Sequence, residues 1–353
     1  MRLHSHSEHE LATKCGQAWD FRYGGLHTGG VTYATREPIL QLFRGIVWGA
    51  GIAAYHDRLQ PLHDSPEGAA SRAFHRAADA EVSKLVKHGY PFAPADEMRR
   101  DVLAALVPIF RAYVSSSQGR QRLLIDEAEA PFVVPIPGLP GHAFHGYLDG
   151  VARGSDVEGD WLLEVKLRSG EVTPPHIARL LPQLRTYAWA YQRHYGRRVA
   201  GVVLDEWVAT TDVPSLEVAR NKPKKGEAKG ALSKRQSCTA ARYIAACADD
   251  GVEPDADVVA SLTKRWESAG FRHVIHLSER EIADAQRDVR SRAVRIAMAE
   301  AGLASPSRDA SKASCRRCDY AELCPDPAHR DLGEALYRIT TPKRLRPPTT
   351  ERA

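Results

Sequence analysis

Three charged residues stand in segments that are otherwise apolar: Asp149 in "GYLDGV", then Glu164 and Lys166 in "LLEVKLRSG". Strand side chains alternate between faces, so Glu164 and Lys166, two positions apart, point the same way. Across the short turn "GSDVEGD", Asp149 can sit opposite them. Two converging carboxylates are hard oxygen ligands suited to Mg²⁺ or Mn²⁺, and the carbonyl of Val165 between them adds a third oxygen. An ion held there would polarise a phosphodiester and lower the pKa of a bound water, while Lys166 orients that water and offsets charge developing on the phosphate. Taken alone, Glu-Val-Lys on a strand is more often a solvated pair on a half-exposed sheet. Its apolar surroundings shift the balance, because charges placed there cost stability unless they pair or bind a cation.

Two further sets of residues could do chemistry. Gln183 and Tyr187 in "PQLRTYAWAY" lie four apart, on one helix face, and can reach the same substrate strand. Tyr187, with Trp189 and Tyr191 nearby, equally suits packing of that helix on a sheet. Half of the chain's six cysteines fall in "SCRRCDYAELCPDP", where Cys315, Cys318 and Cys324 form C-x2-C-x5-C. In a reducing compartment clustered thiols indicate a metal before a disulfide. Three thiolates are one short of the four that an iron-sulfur cluster or a closed zinc site takes. Cys238 and Cys247 are too widely separated to form an ordinary ligand pair.

The elements that must hold these residues are legible in outline. Residues 37–113 read as helices, with apolar residues at helical spacing in stretches such as "ASRAFHRAADAEVSKLVKHG". From about 123 the pattern changes to strands, "LLIDEAEAPFVVPI", "HAFHGYLDGVARG" and "WLLEVKLRS", separated by Gly, Pro and Asp turns. This spacing predicts an antiparallel meander. A helix opened by prolines and closed by a glycine follows, and then the strand "VAGVVLDEWVA", which implies a crossover to a parallel neighbour. After the Lys- and Gly-rich "RNKPKKGEAKGALSKRQS", expected as a mobile loop or insertion, come two helices, "CTAARYIAACADDG" and "EREIADAQRDVRSRAVRIAMAEAG", and a Pro-rich tail expected to fray.

In this order, an aspartate, E-x-K and a helix with Q-x-x-x-Y resemble the motifs of the PD-(D/E)XK nuclease superfamily, in particular its RecB-like branch. The resemblance implies an α/β, restriction-endonuclease-like mixed sheet flanked by helices. It would form one nuclease domain over 1–353, with a helical subdomain at 37–120, a catalytic core at 123–210 and a basic, helical insertion at 214–270. RecB-like nucleases also place a metal-ligating histidine on an early helix; His56 in "GAGIAAYHDRL" is the candidate and His75 its competitor. Glu129 in "LLIDEAEAPF" would play a supporting role on an upstream strand. The segment "CGQAWDFRYGG" resembles the N-terminal cysteine segment of iron-sulfur members, which are similar to the fourth CRISPR-associated protein, the AddB nuclease domain and phage exonucleases. Cys15 would then join Cys315, Cys318 and Cys324 of the 315–324 cluster around a [4Fe-4S] cluster, a staple joining the chain ends. Zinc is the alternative. Closing a loop of about 300 residues contributes through chain entropy, though only logarithmically with length.

The implied activity is a Mg²⁺- or Mn²⁺-dependent deoxyribonuclease acting as an exonuclease on single-stranded DNA or DNA ends, in recombination, repair or phage- or CRISPR-type processing. A helicase, a recombinase or a CRISPR adaptation protein would be its partner. The competing reading is a non-catalytic DNA-binding or scaffold protein of the same fold, which would be expected to have lost Asp149, Glu164 or Lys166. Composition agrees with a soluble chain: 353 residues, 43% hydrophobic, 26% charged, net charge +5. The longest apolar run, "GIVWGAGIAAY", is too short for a bilayer, and the polar N-terminus lacks the pattern of a secretory signal, so the cytoplasm is expected. Lys222, Lys224, Lys225, Lys229, Lys234 and Arg235 either follow a phosphate backbone or decorate a solvated loop. "GEAKGALSK" has the wrong spacing for a phosphate loop, so no helicase motor of that type is expected here.

Overall fold

The computed structural model describes residues 1–26, 31–35, 40–57, 65–87, 89–116, 119, 121–155, 158–168, 174–208, 217–223, 230–267, 270–306, 315, 318–320, 323–324, 337–340 and 342. Its strands are β1 (Arg2–His4), β2 (Thr32–Thr35), β3 (Glu127–Pro135), β4 (His142–Ala152), β5 (Asp160–Arg168), β6 (Val199–Val208), β7 (Gly270–His276) and β8 (Tyr337–Thr340). Its helices are α1 (His6–Lys14), α2 (Gly16–Trp19), α3 (Leu40–His56), α4 (Pro66–Lys87), α5 (Phe92–Ser115), α6 (Pro174–Tyr195), α7 (Ala240–Asp249), α8 (Ala256–Glu267) and α9 (Glu279–Glu300).

The expected meander forms, and β4 is its pivot. A turn through Gly138 and Gly141, at φ 72° and 79°, returns the chain so that β3 pairs antiparallel along β4 from Glu127↔Val151 to Pro135↔Ala143. That uses one edge of β4, so β1 and β5 must share the other. β1 runs parallel at His142–Phe144, and β5 runs antiparallel only at Gly150–Ala152. Residues 145–149 of this edge pair with no strand among the described residues, and β4 and β5 splay apart there. The chain then crosses over through α6 to β6, parallel to β5, and β7 pairs antiparallel with β6. Gly196 at φ 67° ends α6, its N–H bonded to Gln192 O at 3.0 Å.

Helices cover both faces of the sheet. Trp48, Ile52, Phe74, Leu106 and Tyr113 of α3–α5 pack on Leu163 and Val165 of β5. On the opposite face Leu184, Trp189 and Tyr191 of α6 and Val289 of α9 pack on Leu162, Val202 and Phe144. Strand alternation therefore turns Glu164 and Lys166 toward α6 and Val165 toward α3.

Three parts of the outline change. Between the two helices expected after the basic segment lie α8 and the edge strand β7, whose half-exposed residues, Val274 at 58%, leave no apolar alternation to read. The tail expected to fray contributes β8, which pairs with β2 from Thr32↔Thr340 to Thr35↔Tyr337. Around that pair Phe21, Tyr33, Tyr320, Leu323 and Tyr337 form a small separate core joining both ends of the chain. Among the described residues no helix is long and apolar enough to cross a membrane.

Candidate active site

Asp149 stands where β4 leaves β5. Its Oδ2 accepts the Val165 N–H at 2.7 Å, so a side chain takes the place of the missing backbone partner and the carboxylate is fixed at the mouth of the splay. A strand residue turns its N–H and C=O to the same edge, so the Val165 carbonyl also faces this opening. Glu164, 3% exposed, accepts from Gln183 Nε2 at 2.9 Å and pairs with the Lys166 ammonium. Tyr187, one turn after Gln183, has its hydroxyl beside that amide. The structure thus brings Asp149, Glu164, Lys166, Gln183 and Tyr187 together.

The electrostatics show what this group lacks. Burial and then the charge of Glu164 push Asp149 well above the ordinary carboxylate range, against the opposing pull of Lys166 and the Val165 N–H. Burial works against the Lys166 charge, but Glu164 and Asp149 outweigh it and raise its pKa. Burial and the charge of Glu164 likewise raise Tyr187. One lysine therefore faces two carboxylates, and a cation beside Asp149 would relieve their repulsion. Glu129 adds to it: this exposed residue falls opposite Asp149 on β3, at φ 49° the only non-glycine with positive φ among the described residues.

His56 does not join them. It is fully buried on the α3 face, its Nδ1 accepting the Leu123 N–H at 3.1 Å and its Nε2 2.8 Å from the Tyr113 hydroxyl. Tyr113 donates to Asp205 Oδ2 at 2.8 Å, which also accepts from Arg272 at 2.9 Å. Asp205 lies opposite Val165 in register, across the sheet from Glu164. Both ring nitrogens are engaged, so the expected ligand is a member of a buried hydrogen-bond network instead. His75 is exposed on α4. Lys224, Lys225 and Lys229 lie outside the described residues. Lys222 and Arg235 are exposed near a separate small core of Cys238, Tyr243, Cys247 and Leu262, and Lys234 pairs with Asp255 at 2.9 Å.

One residue was not anticipated. His6, the first residue of α1, sets its ring edge-on to Tyr187 with centroids 6.1 Å apart. Burial, with Arg292 and Lys166 nearby, lowers its pKa to about 4 despite Glu10. The only hint was the histidine-rich N-terminus, which does not say where that segment docks.

The cysteines of the two chain ends also meet. Cys15 caps α2, Cys324 Sγ lies 3.5 Å from Gln17 Oε1, and Cys15 and Cys318 flank the small terminal core. Burial and then the charges of Cys15 and Cys324 push the Cys318 thiol up, so three of the four candidate thiols share one neighbourhood. Cys315 is exposed, its carbonyl accepting the Cys318 N–H at 3.2 Å. Among the described residues no group of three or more His, Cys, Asp or Glu is arranged to hold a metal ion by itself.

The family model described as the PD-(D/E)XK nuclease superfamily matches residues 4–325, nearly the whole chain. This protein belongs to the PD-(D/E)XK nuclease superfamily. Asp149, Glu164 and Lys166 all lie within the matched span, as do Cys15 and Cys324. Two solved structures are similar to this nuclease at low identity. One is a "Putative exonuclease" from Eubacterium rectale, 11% identical over 80% of this chain and 89% of that chain, with a TM-score of 0.35. The other is SSO0001, 14% identical over 71% of this chain and 81% of that chain, with a TM-score of 0.27. At these scores neither carries any of the argument. No curated protein matches the sequence.

Proposed function

We propose that this nuclease hydrolyses DNA phosphodiester bonds with Mg²⁺ or Mn²⁺, as an exonuclease on single strands or ends. The observation that carries the reading is the placement of Asp149 at the splay of β4 and β5, beside a Glu164–Lys166 pair. Asp149, Glu164 and the Val165 carbonyl would hold the ion, and the excess negative charge that raises Asp149 is what a cation there would neutralise. When bound, the ion supplies polarisation of the phosphodiester and a more acidic water.

The chain's own residues do the rest. Gln183 donates to Glu164 and holds its carboxylate in one orientation. Glu164 and Asp149 keep Lys166 charged, and the ammonium donates to the attacking water and offsets charge developing on the phosphate. Tyr187 walls the α6 side, where the substrate strand lies.

Cys15, Cys315, Cys318 and Cys324 would hold a [4Fe-4S] cluster fastening the chain ends; support comes from the meeting of Cys15, Cys318 and Cys324 beside the β2–β8 pair. A brown preparation whose visible absorbance bleaches on reduction is the expected result, and a colourless protein with stoichiometric zinc overturns it. For the nuclease, end-labelled single- and double-stranded DNA is incubated with and without Mg²⁺ or Mn²⁺. Asp149→Ala, Glu164→Ala and Lys166→Ala should each abolish metal-dependent cutting with the fold intact. Full activity in all three would refute the assignment.

A further inference from the structure

One edge of β4 carries β5 at one end and β1 at the other, and from β1 the chain passes directly into α1. Ser5 caps that helix by accepting the Glu8 N–H, and His6 is thereby set against Tyr187 at the edge of the candidate active site. The charges of Lys166 and of Arg292 on α9 both act on the His6 ring, so both lie near it. Beyond it, α1 and α2 leave a cavity of about 220 Å³ against α9. Ala12, Gly16, Trp19 and Ile296 give it an apolar lining, and Arg292 and Arg295 contribute its charge. The two arginines are three apart on one helix face. Arg292 is half-buried and Arg295 exposed, and neither pairs with a carboxylate among the described residues.

Two guanidinium groups beside an apolar lining, with no carboxylate partner among the described residues, match one kind of occupant. Guanidinium groups take phosphate oxygens in bidentate fashion, and apolar walls accept the faces of unpaired bases. A cavity of this volume matches one unstacked base with its sugar and is too small for a base pair. We infer that the cleft between α1–α2 and α9 carries a single nucleic-acid strand leading to the candidate active site, with His6 on the phosphate nearest the reacting one and Arg292 and Arg295 on those beyond. This rests on the nuclease reading and adds the strand's path and three positioning residues.

The test separates binding from cutting. Anisotropy of a fluorescein-labelled oligo(dT) across a NaCl series, without divalent metal, is measured for the wild type and for Arg292→Ala/Arg295→Ala. Each phosphate contact to a single strand contributes about −0.7 to the slope of log K against log salt, so the double variant should have a slope shallower by about 1.4 and bind about tenfold more weakly at low salt. His6→Ala should raise KM for cutting far more than it lowers kcat. Arg280→Ala, exposed at the start of α9 and outside the cavity, is the control and should bind as the wild type. A 5-iodouracil oligonucleotide photocrosslinked to the unaltered protein should label residues 12–19 or 292–299, which covers the case of a variant that does not fold. Weaker binding with a shallower slope supports the path even if the wild type cuts nothing. Unchanged affinity and slope in a double variant that folds, or crosslinks confined to other segments, overturns the path even if the wild type cuts well.

Discussion

Asp160 closes the joined end of the β4–β5 cleft, and replacing it asks whether charge holds that end shut. Its carboxylate, 0% exposed, accepts from Arg197 Nε at 2.6 Å and Nη2 at 2.9 Å, from the Tyr191 hydroxyl at 2.6 Å and from the Gly154 N–H at 2.9 Å. Burial alone would raise its pKa, but Arg197, Tyr191 and the Gly154 N–H outweigh it and bring the group from 3.8 down to about 2. At about 1.4 kcal/mol per pH unit, this corresponds to about 2 kcal/mol of folding stability. A carboxylate depressed in the folded state contributes fully above its unfolded pKa and loses that contribution as pH falls through the folded value. Asp160→Asn keeps the shape and removes the charge. Urea unfolding followed by tryptophan fluorescence should therefore show a loss of about 2 kcal/mol at pH 7, a gap that narrows as pH falls from about 4 toward 2. Cutting should persist below the unfolding temperature, because Asp160 lies at the start of β5, four residues before Glu164 and six before Lys166. Equal urea midpoints at pH 7, or a gap that does not narrow in acid, would refute the reasoning.

Gln183→Ala removes a hydrogen bond to a charged group, worth about 1.5–3 kcal/mol, and should lower kcat/KM by about 10- to 100-fold in steady-state assays with circular dichroism unchanged. Asp149→Asn should abolish cutting yet raise the melting temperature of the EDTA-treated protein at pH 8. Between the unfolded pKa and about 7 the native state holds a proton on Asp149 that the unfolded chain releases, so the wild type loses stability as pH rises through that window and at pH 8 carries the buried charge, which added Mg²⁺ should relieve. His56→Ala should cost about 2–4 kcal/mol in urea titration, because it leaves the Leu123 N–H without its acceptor and loosens Tyr113 from Asp205; Mg²⁺ affinity by calorimetry should not change beyond what that loss of fold explains.

The information that residue patterns carry is local. Alternation assigned Glu164 and Lys166 to one face of a strand, the helical period placed Gln183 and Tyr187 together, and the turn residues ordered a meander and a parallel crossover. The period-2 and period-3.6 patterns record which side of an element is buried, and that is a property of neighbouring residues. His56 shows the limit: a histidine in a plausible place on α3 is fully engaged by Leu123 and Tyr113, partners 67 and 57 positions away. β1 is three residues long, too short to show any period, yet its ladder ends at Phe144 and sets His6 beside Tyr187. The sequence by itself determined the chemistry available, two carboxylates, a lysine and a glutamine on elements of known type. Tertiary structure decided where that chemistry lies, because β1 and β5 share one edge of β4 and β5 splays from it at Asp149, a competition between segments far apart in the chain that no local pattern encodes.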